Sequence, residues 1–198
     1  MSPKEIEYFE TLCHQYDRKF KSSFTEDENN EEVISEFRTS NFIHLSKAQD
    51  TIVRRIEAKA AELVGMTEIF VEPLQIVRYK EGQFFDTHHD AGTLLEDGNV
   101  DLVAPRRIAT LFLYLNTLPE GQGHTEFPAA GVSMRPERGC GVLWCNINAD
   151  GEPDPRTIHK ACPVVGKGVV KFGVNVWISE QSHQSLALVK SKTLLKKK

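Results

Sequence analysis

The run Val169 to Ile178, VVKFGVNVWI, constrains the fold more than any other segment of the chain. Its Val, Ile, Phe and Trp content reads as one long strand. Side chains alternate along a strand, so the run has two faces. Phe172, Val174, Val176 and Ile178 form one face, wholly apolar and expected to pack against helices. Lys171, Gly173, Asn175 and Trp177 form the other. Lysine is rarely buried without a partner. The second face therefore either meets solvent, with Lys171 an edge charge, or lines a cavity where Lys171 meets a ligand carboxylate. In the second case Gly173 would leave room for the ligand.

The remaining pattern suits such a strand. Residues 74–79, 84–88, 107–115 and 141–145 read as further short strands separated by Gly- and Pro-rich turns. This is the punctuation of an all-β barrel or sandwich. The N-terminal third reads as helical. Ser2-Pro3-Lys4-Glu5 has the form of a capping box, and Ile6, Phe9, Cys13 and Tyr16 follow at helical spacing until the acidic run Thr25 to Glu32. A second helix is expected from near Ser46, with Gln49 three residues on. It would bury Ile52, Val53, Ile56, Ala60, Leu63 and Val64 and stop at Gly65. The fold class expected is mainly β with N-terminal helices (α+β), the helices packed on one sheet of a jelly-roll core. Residues 1–68 form a helical support region, 69–180 the barrel core and 181–198 a basic tail.

With 198 residues, 40% hydrophobic and 26% charged, the chain has the size and composition of one globular domain. A net charge of −4 gives no general case for nucleic-acid binding. The acidic run and the terminal KSKTLLKKK read as solvated segments. No apolar run is long enough to span a membrane, and no secretory pattern follows Met1. A cytoplasmic location is expected on that basis, or the endoplasmic reticulum if an N-terminal segment precedes this one. Cys13, Cys140, Cys145 and Cys162 form no CxxC pair and read as buried free thiols.

Candidate chemistry begins at Asp86-Thr87-His88-His89-Asp90. Alternation puts His88 and Asp90 on one face and His89 on the other. Two histidines and one carboxylate on one ion leave half an octahedron open, the donor set of non-haem iron(II) oxygenases. Spacing leaves His124 and His159 as third ligand, with His159 favoured because it enters the last strand region, 71 residues on (159 − 88). Tyr79 ends the strand LQIVRY nine residues before His88 (88 − 79), a separation suited to a hairpin-like return through the Gly82 turn. Its hydroxyl either reaches the same ligand carboxylate as Lys171 or sits at the rim. The loop from Ala91 to Pro105 is a candidate lid.

The ordered segments LQIVRYKEGQFFDTHHD, RRIATLFLYLNTLPEG, TEFPAAGVSMRPERG, DGEPDPRTIHKACPV and VKFGVNVWI resemble the prolyl 4-hydroxylase branch (alpha-subunit catalytic domain type) of the iron(II)/2-oxoglutarate-dependent dioxygenases, from about Pro73 to Ile178. The resemblance implies a double-stranded β-helix with Fe(2+) held by His88, Asp90 and His159. It implies 2-oxoglutarate and O2 as co-substrates, with Lys171, Tyr79 and Trp177 on the 2-oxoglutarate side, and L-ascorbate as rescuer of oxidised iron. Glu72 and Arg107 match positions near the family's peptide groove. The implied substrate is a proline-containing peptide or protein in extended polyproline-II form, with neither nucleic acid nor membrane as partner. The same chemistry on lysine, a nucleobase or a small molecule, a non-catalytic barrel and a structural zinc site are the alternatives. Three features depart from the family pattern, the first being a loop between Cys162 and Lys171 about two residues longer than the family's. Ser179 stands where algal relatives carry a substrate-binding histidine, and the GGxT-like turn reads Gly121-Gln122-Gly123-His124-Thr125.

Overall fold

The computed structural model describes residues 1–26, 32–34 and 36–183. The tail beyond His183 and part of the acidic run lie outside these residues. Helix α1 spans Pro3–Gln15 and starts at the expected box: Ser2 Oγ accepts from Glu5 N–H while the Glu5 carboxylate accepts from Ser2 N–H. It ends at Gln15, well before the acidic run. Helix α2 spans Thr51–Leu63. Its cap is Asp50, whose Oδ1 accepts from the Ile52 and Val53 amides, and not Ser46. Gly65 ends it as expected: Gly65 N–H bonds to Glu62 O and Met66 N–H to Ala61 O, the two bonds of a Schellman cap. Val53, Ile56, Ala60 and Ala61 are buried, whereas Leu63 is 61% exposed.

The strands among the described residues are β1 (Lys21–Ser22), β2 (Phe24–Glu26), β3 (Glu32–Ile34), β4 (Asn41–His44), β5 (Gln75–Tyr79), β6 (Phe85–His88), β7 (Gly92–Leu94), β8 (Val100–Leu102), β9 (Arg107–Tyr114), β10 (Thr125–Phe127), β11 (Val132–Met134), β12 (Gly141–Cys145), β13 (His159–Ala161) and β14 (Lys171–Ser179). The major sheet runs β1-β4-β5-β14-β9-β12 and the minor sheet β11-β10-β13-β6. The strand pairings within them are antiparallel, so the two sheets form the jelly roll expected. The N-terminal third is not wholly helical: β1 and β4 extend the major sheet. Their few residues carry too short an alternation to stand out in the sequence.

The layers are helices, major sheet, minor sheet. Val174, Val176 and Ile178 of β14 join Phe9, Leu12, Val53, Ile56 and Ala60 in the core beneath the helices. Between the sheets lies a second core that includes Val77, Tyr79, Phe112, Tyr114, Phe127 and Trp144. β5 and β6 belong to different sheets, so the return from Tyr79 to His88 is a crossover and not a hairpin. Gly173 makes room, but for a side chain of the protein: a Cβ there would lie 2.3 Å from the Phe112 ring. Gly173→Ala should therefore destabilise the fold by about 1–3 kcal/mol, read as a lowered melting temperature. An unchanged melting temperature would show that the ring yields freely.

Candidate active site

The site lies between the sheets and is built from their edges inward. His88 ends β6, Asp90 follows two residues later, and His159 opens β13, the strand paired with β6 in the register His159↔His88. Asp90 Oδ1 lies 3.7 Å from His88 Nε2, and Asp90 Oδ2 lies 3.9 Å from His159 Nε2. One ligand atom from each residue falls within 4.8 Å of the others, the only such metal-sized group among the described residues. His124 stands outside it.

The local bonds orient these donors. His88 Nδ1 lies 2.7 Å from the Asp86 carbonyl oxygen and His159 Nδ1 lies 2.9 Å from the Thr157 carbonyl oxygen. A carbonyl only accepts, so both Nδ1 atoms carry the proton and both Nε2 lone pairs face Asp90. Asp90 Oδ2 accepts from Thr110 Oγ1 at 2.6 Å and from Trp177 Nε1 at 3.2 Å. Burial drives the His88 pKa down to about 3, helped by the nearby His159, which keeps its lone pair available. Burial alone would raise Asp90. The Arg107 guanidinium and the hydrogen bond from the Thr110 hydroxyl act against it and favour the carboxylate. His89 points away as alternation requires. Its Nδ1 accepts from Ala91 N–H, and its Nε2 donates to Thr157 Oγ1 at 3.1 Å, tying the His88 strand to the loop before His159.

Across the interior, Lys171 sits beside Tyr79 in the β14–β5 register. Lys171 is fully buried, and its Nζ has no hydrogen-bond partner among the described residues. Three rings surround it, Tyr79 at 5.2 Å, Phe112 at 5.3 Å and Tyr114 at 5.6 Å. Burial lowers its pKa to about 7. Of its two sequence readings, the cavity is the one observed. Trp177 lines the same interior pocket as Lys171 and Tyr79; its indole N–H donates to Asp90, and Arg107 lies over its ring at 3.7 Å.

A groove of about 560 Å³ opens on His88 and Asp90. Arg107 and Glu72 form a two-bonded ion pair in its wall, at 2.8 and 2.9 Å. The expected lid is a two-stranded hairpin, β7–β8, whose base lines the groove. Several contributors were absent from the sequence reading. Thr110, which holds Asp90, and Thr125, which accepts from Tyr114 at 2.8 Å, are plain strand positions. Arg38 stacks on Phe85 at 4.8 Å, and Phe85 stacks on His88 at 3.5 Å. His183 lines the groove from beyond β14. Only Thr110 carried a usable signal, since alternation places it on the Phe112 face of β9. All four cysteines are free as expected, but only Cys13 is buried, and Cys140 and Cys145 are exposed.

Two imidazole nitrogens and one carboxylate on one side of an open pocket, inside a jelly roll, define a mononuclear non-haem metal centre. A family model described as the 2OG-Fe(II) oxygenase superfamily matches residues 74–179. The chain belongs to that superfamily. It is 30% identical over 191 residues to prolyl 4-hydroxylase 2 of Arabidopsis thaliana, covering 84% of this chain and 60% of the relative. It is 32% identical to the rat prolyl 4-hydroxylase subunit alpha-1, covering 93% of this chain and 34% of the relative. The chain thus spans between a third and three-fifths of these relatives. The viral collagen prolyl hydroxylase of Paramecium bursaria Chlorella virus-1, solved as a 2OG complex, shares the fold with a TM-score of 0.67 at 23% identity over 90% of this chain and 91% of its own.

Proposed function

We propose that this chain hydroxylates peptidyl proline to 4-hydroxyproline, using iron(II), 2-oxoglutarate and O2. The observation that carries the reading is the buried, unpartnered Lys171 ammonium across the interior from the His88-Asp90-His159 trio. A dicarboxylic keto acid meets both requirements, with one end at the metal and a far carboxylate on Lys171.

The donor set fits iron(II), because three protein ligands on one side leave positions for co-substrate and oxygen. When bound, the metal supplies oxygen activation coupled to decarboxylation of the keto acid, and ascorbate would return oxidised metal to iron(II). The protein's own part is placement. The Nδ1 bonds of His88 and His159 orient the two rings and leave each Nε2 as the atom that would hold the metal. Thr110 and Trp177 fix the Asp90 carboxylate. Lys171 and Tyr79 receive the far carboxylate, and the apolar walls of Phe112, Trp144 and Phe127 exclude water. The Glu72–Arg107 pair shapes the groove in which an extended proline peptide would lie.

Incubation with iron(II), 2-oxoglutarate, ascorbate and a panel of proline-rich peptides should yield peptides heavier by one oxygen and an equal amount of succinate. Oxygen insertion into lysine peptides or alkylated oligonucleotides, with none into proline, would overturn the proline reading. Absence of succinate under all conditions would overturn catalysis.

A further inference from the structure

His183 occupies a place that no part of the chemistry above uses. It lies four residues past the end of β14 (183 − 179) and beyond residues 74–179, which the superfamily model matches. The β14 bulge between Ile178 and Ser179 turns the chain here, and Glu180 is locked to Arg106 by hydrogen bonds of 2.9 and 2.8 Å. Just beyond this anchor, His183 lines the groove together with Glu72, Arg107, Trp177 and residues at the base of the hairpin. Its Nε2 lies just beneath the groove surface, closed to water and without a hydrogen-bond partner among the described residues. Ser179 cannot fill that role. It is fully buried, and its Oγ accepts from Gln181 N–H.

An unpaired buried imidazole nitrogen is costly unless something entering the site completes it. The histidine χ2 torsion is broad, so rotation of the ring is the movement by which Nε2 would meet a ligand in the groove. We propose that His183 is a substrate-contact residue whose Nε2 hydrogen-bonds the backbone of an extended peptide lying in the groove. Its surroundings suit that task. Burial lowers the pKa, with Lys47 and Arg107 acting in the same direction against Glu72, so the ring stays neutral near pH 7. A neutral ring can serve a peptide amide without adding a third cation beside Arg38 and Arg107. The wall formed by the Arg107–Glu72 pair has its charges satisfied internally. His183 adds a neutral hydrogen-bonding group to a groove whose lining mixes charged residues such as Arg38, Glu72 and Arg107 with apolar ones such as Ala91, Val103 and Pro105.

This inference rests on the proline-peptide reading, and the test separates the two. Steady-state kinetics with poly(L-proline) and a proline-rich peptide would be run on the parent chain and on His183→Ala, His183→Leu and His183→Gln. In the Ala and Leu variants the peptide KM should rise roughly tenfold, while the KM for 2-oxoglutarate stays within about twofold. Glutamine carries its amide nitrogen near the position of Nε2, so His183→Gln should recover most of the lost affinity. Melting temperatures identify any variant that fails to fold, and the glutamine variant then decides. Equal peptide KM in all four proteins, or rescue by leucine as good as by glutamine, would overturn the role of His183 alone. A parent chain that forms succinate yet hydroxylates no proline peptide would overturn both readings.

Discussion

Asp90→Ala is expected to abolish iron-dependent succinate formation. The loss should exceed the roughly 10- to 100-fold typical of removing a residue that only supports a metal ligand. Asp90 is the only carboxylate in the trio and faces both histidines, at 3.7 and 3.9 Å. Its removal leaves two neutral imidazoles and strands the Thr110 hydroxyl and the Trp177 indole N–H, both of which now donate to Oδ2. Metal content after dialysis and succinate yield are the measurements. A variant that retains iron and turns over near the parent rate would sink the trio.

Lys171→Met should have the second-largest effect, in opposite directions for binding and for stability. Affinity for 2-oxoglutarate should fall by at least about 100-fold, since a charge-assisted contact in a dry site is lost. The fold itself should gain stability. Lys171 has a pKa near 7 in the folded chain, below the 10.5 of an exposed lysine. Between those values the unfolded chain holds a proton that the folded chain has shed, so stability climbs with pH across that window and the penalty is complete below pH 7. Methionine removes the penalty. The gain should be largest below pH 7, up to about 4–5 kcal/mol, and vanish near pH 10.5. The same pKa governs binding in the parent protein. Above pH 7 a dicarboxylate must draw a proton onto Lys171, and its affinity should drop about tenfold per pH unit. Calorimetry in buffers of different ionisation enthalpy would show that proton uptake. Binding that is flat from pH 7 to 9 would place the carboxylate elsewhere.

Much of this site could be read from the sequence because it lies on regular strands. Period-two alternation separated His88 and Asp90 from His89 and set Lys171 opposite the apolar face of β14. Ordered resemblance then chose His159 over His124, which spacing alone had left as candidates. What alternation could not supply was anything fixed by tertiary return of the chain. Arg38 reaches the groove from a segment read as helical, and His183 reaches it from a stretch read as tail. Neither has a periodic neighbour that marks it. The crossover from β5 to β6 escaped for a related reason, since Gly82 signals a turn but not which sheet the chain joins afterwards. Gly173 shows a third limit. A missing side chain announces space, yet only packing reveals that Phe112 fills it.

The position of β14 has a consequence for how the molecule assembles. It is the last strand in the described chain, yet it sits in the interior of the major sheet, hydrogen-bonded to β5 on one side and β9 on the other. Until residues 171–179 arrive, those two strands have no neighbour to join them, and the apolar surface beneath the helices stays open. Pairings so distant in sequence form slowly and leave sticky edges exposed meanwhile. During synthesis the ribosome must therefore deliver residues through Ser179 before the sheet can close. The lysine that distinguishes the site arrives in the same stroke as the strand that completes the fold, so a partly made chain has no co-substrate pocket to occupy.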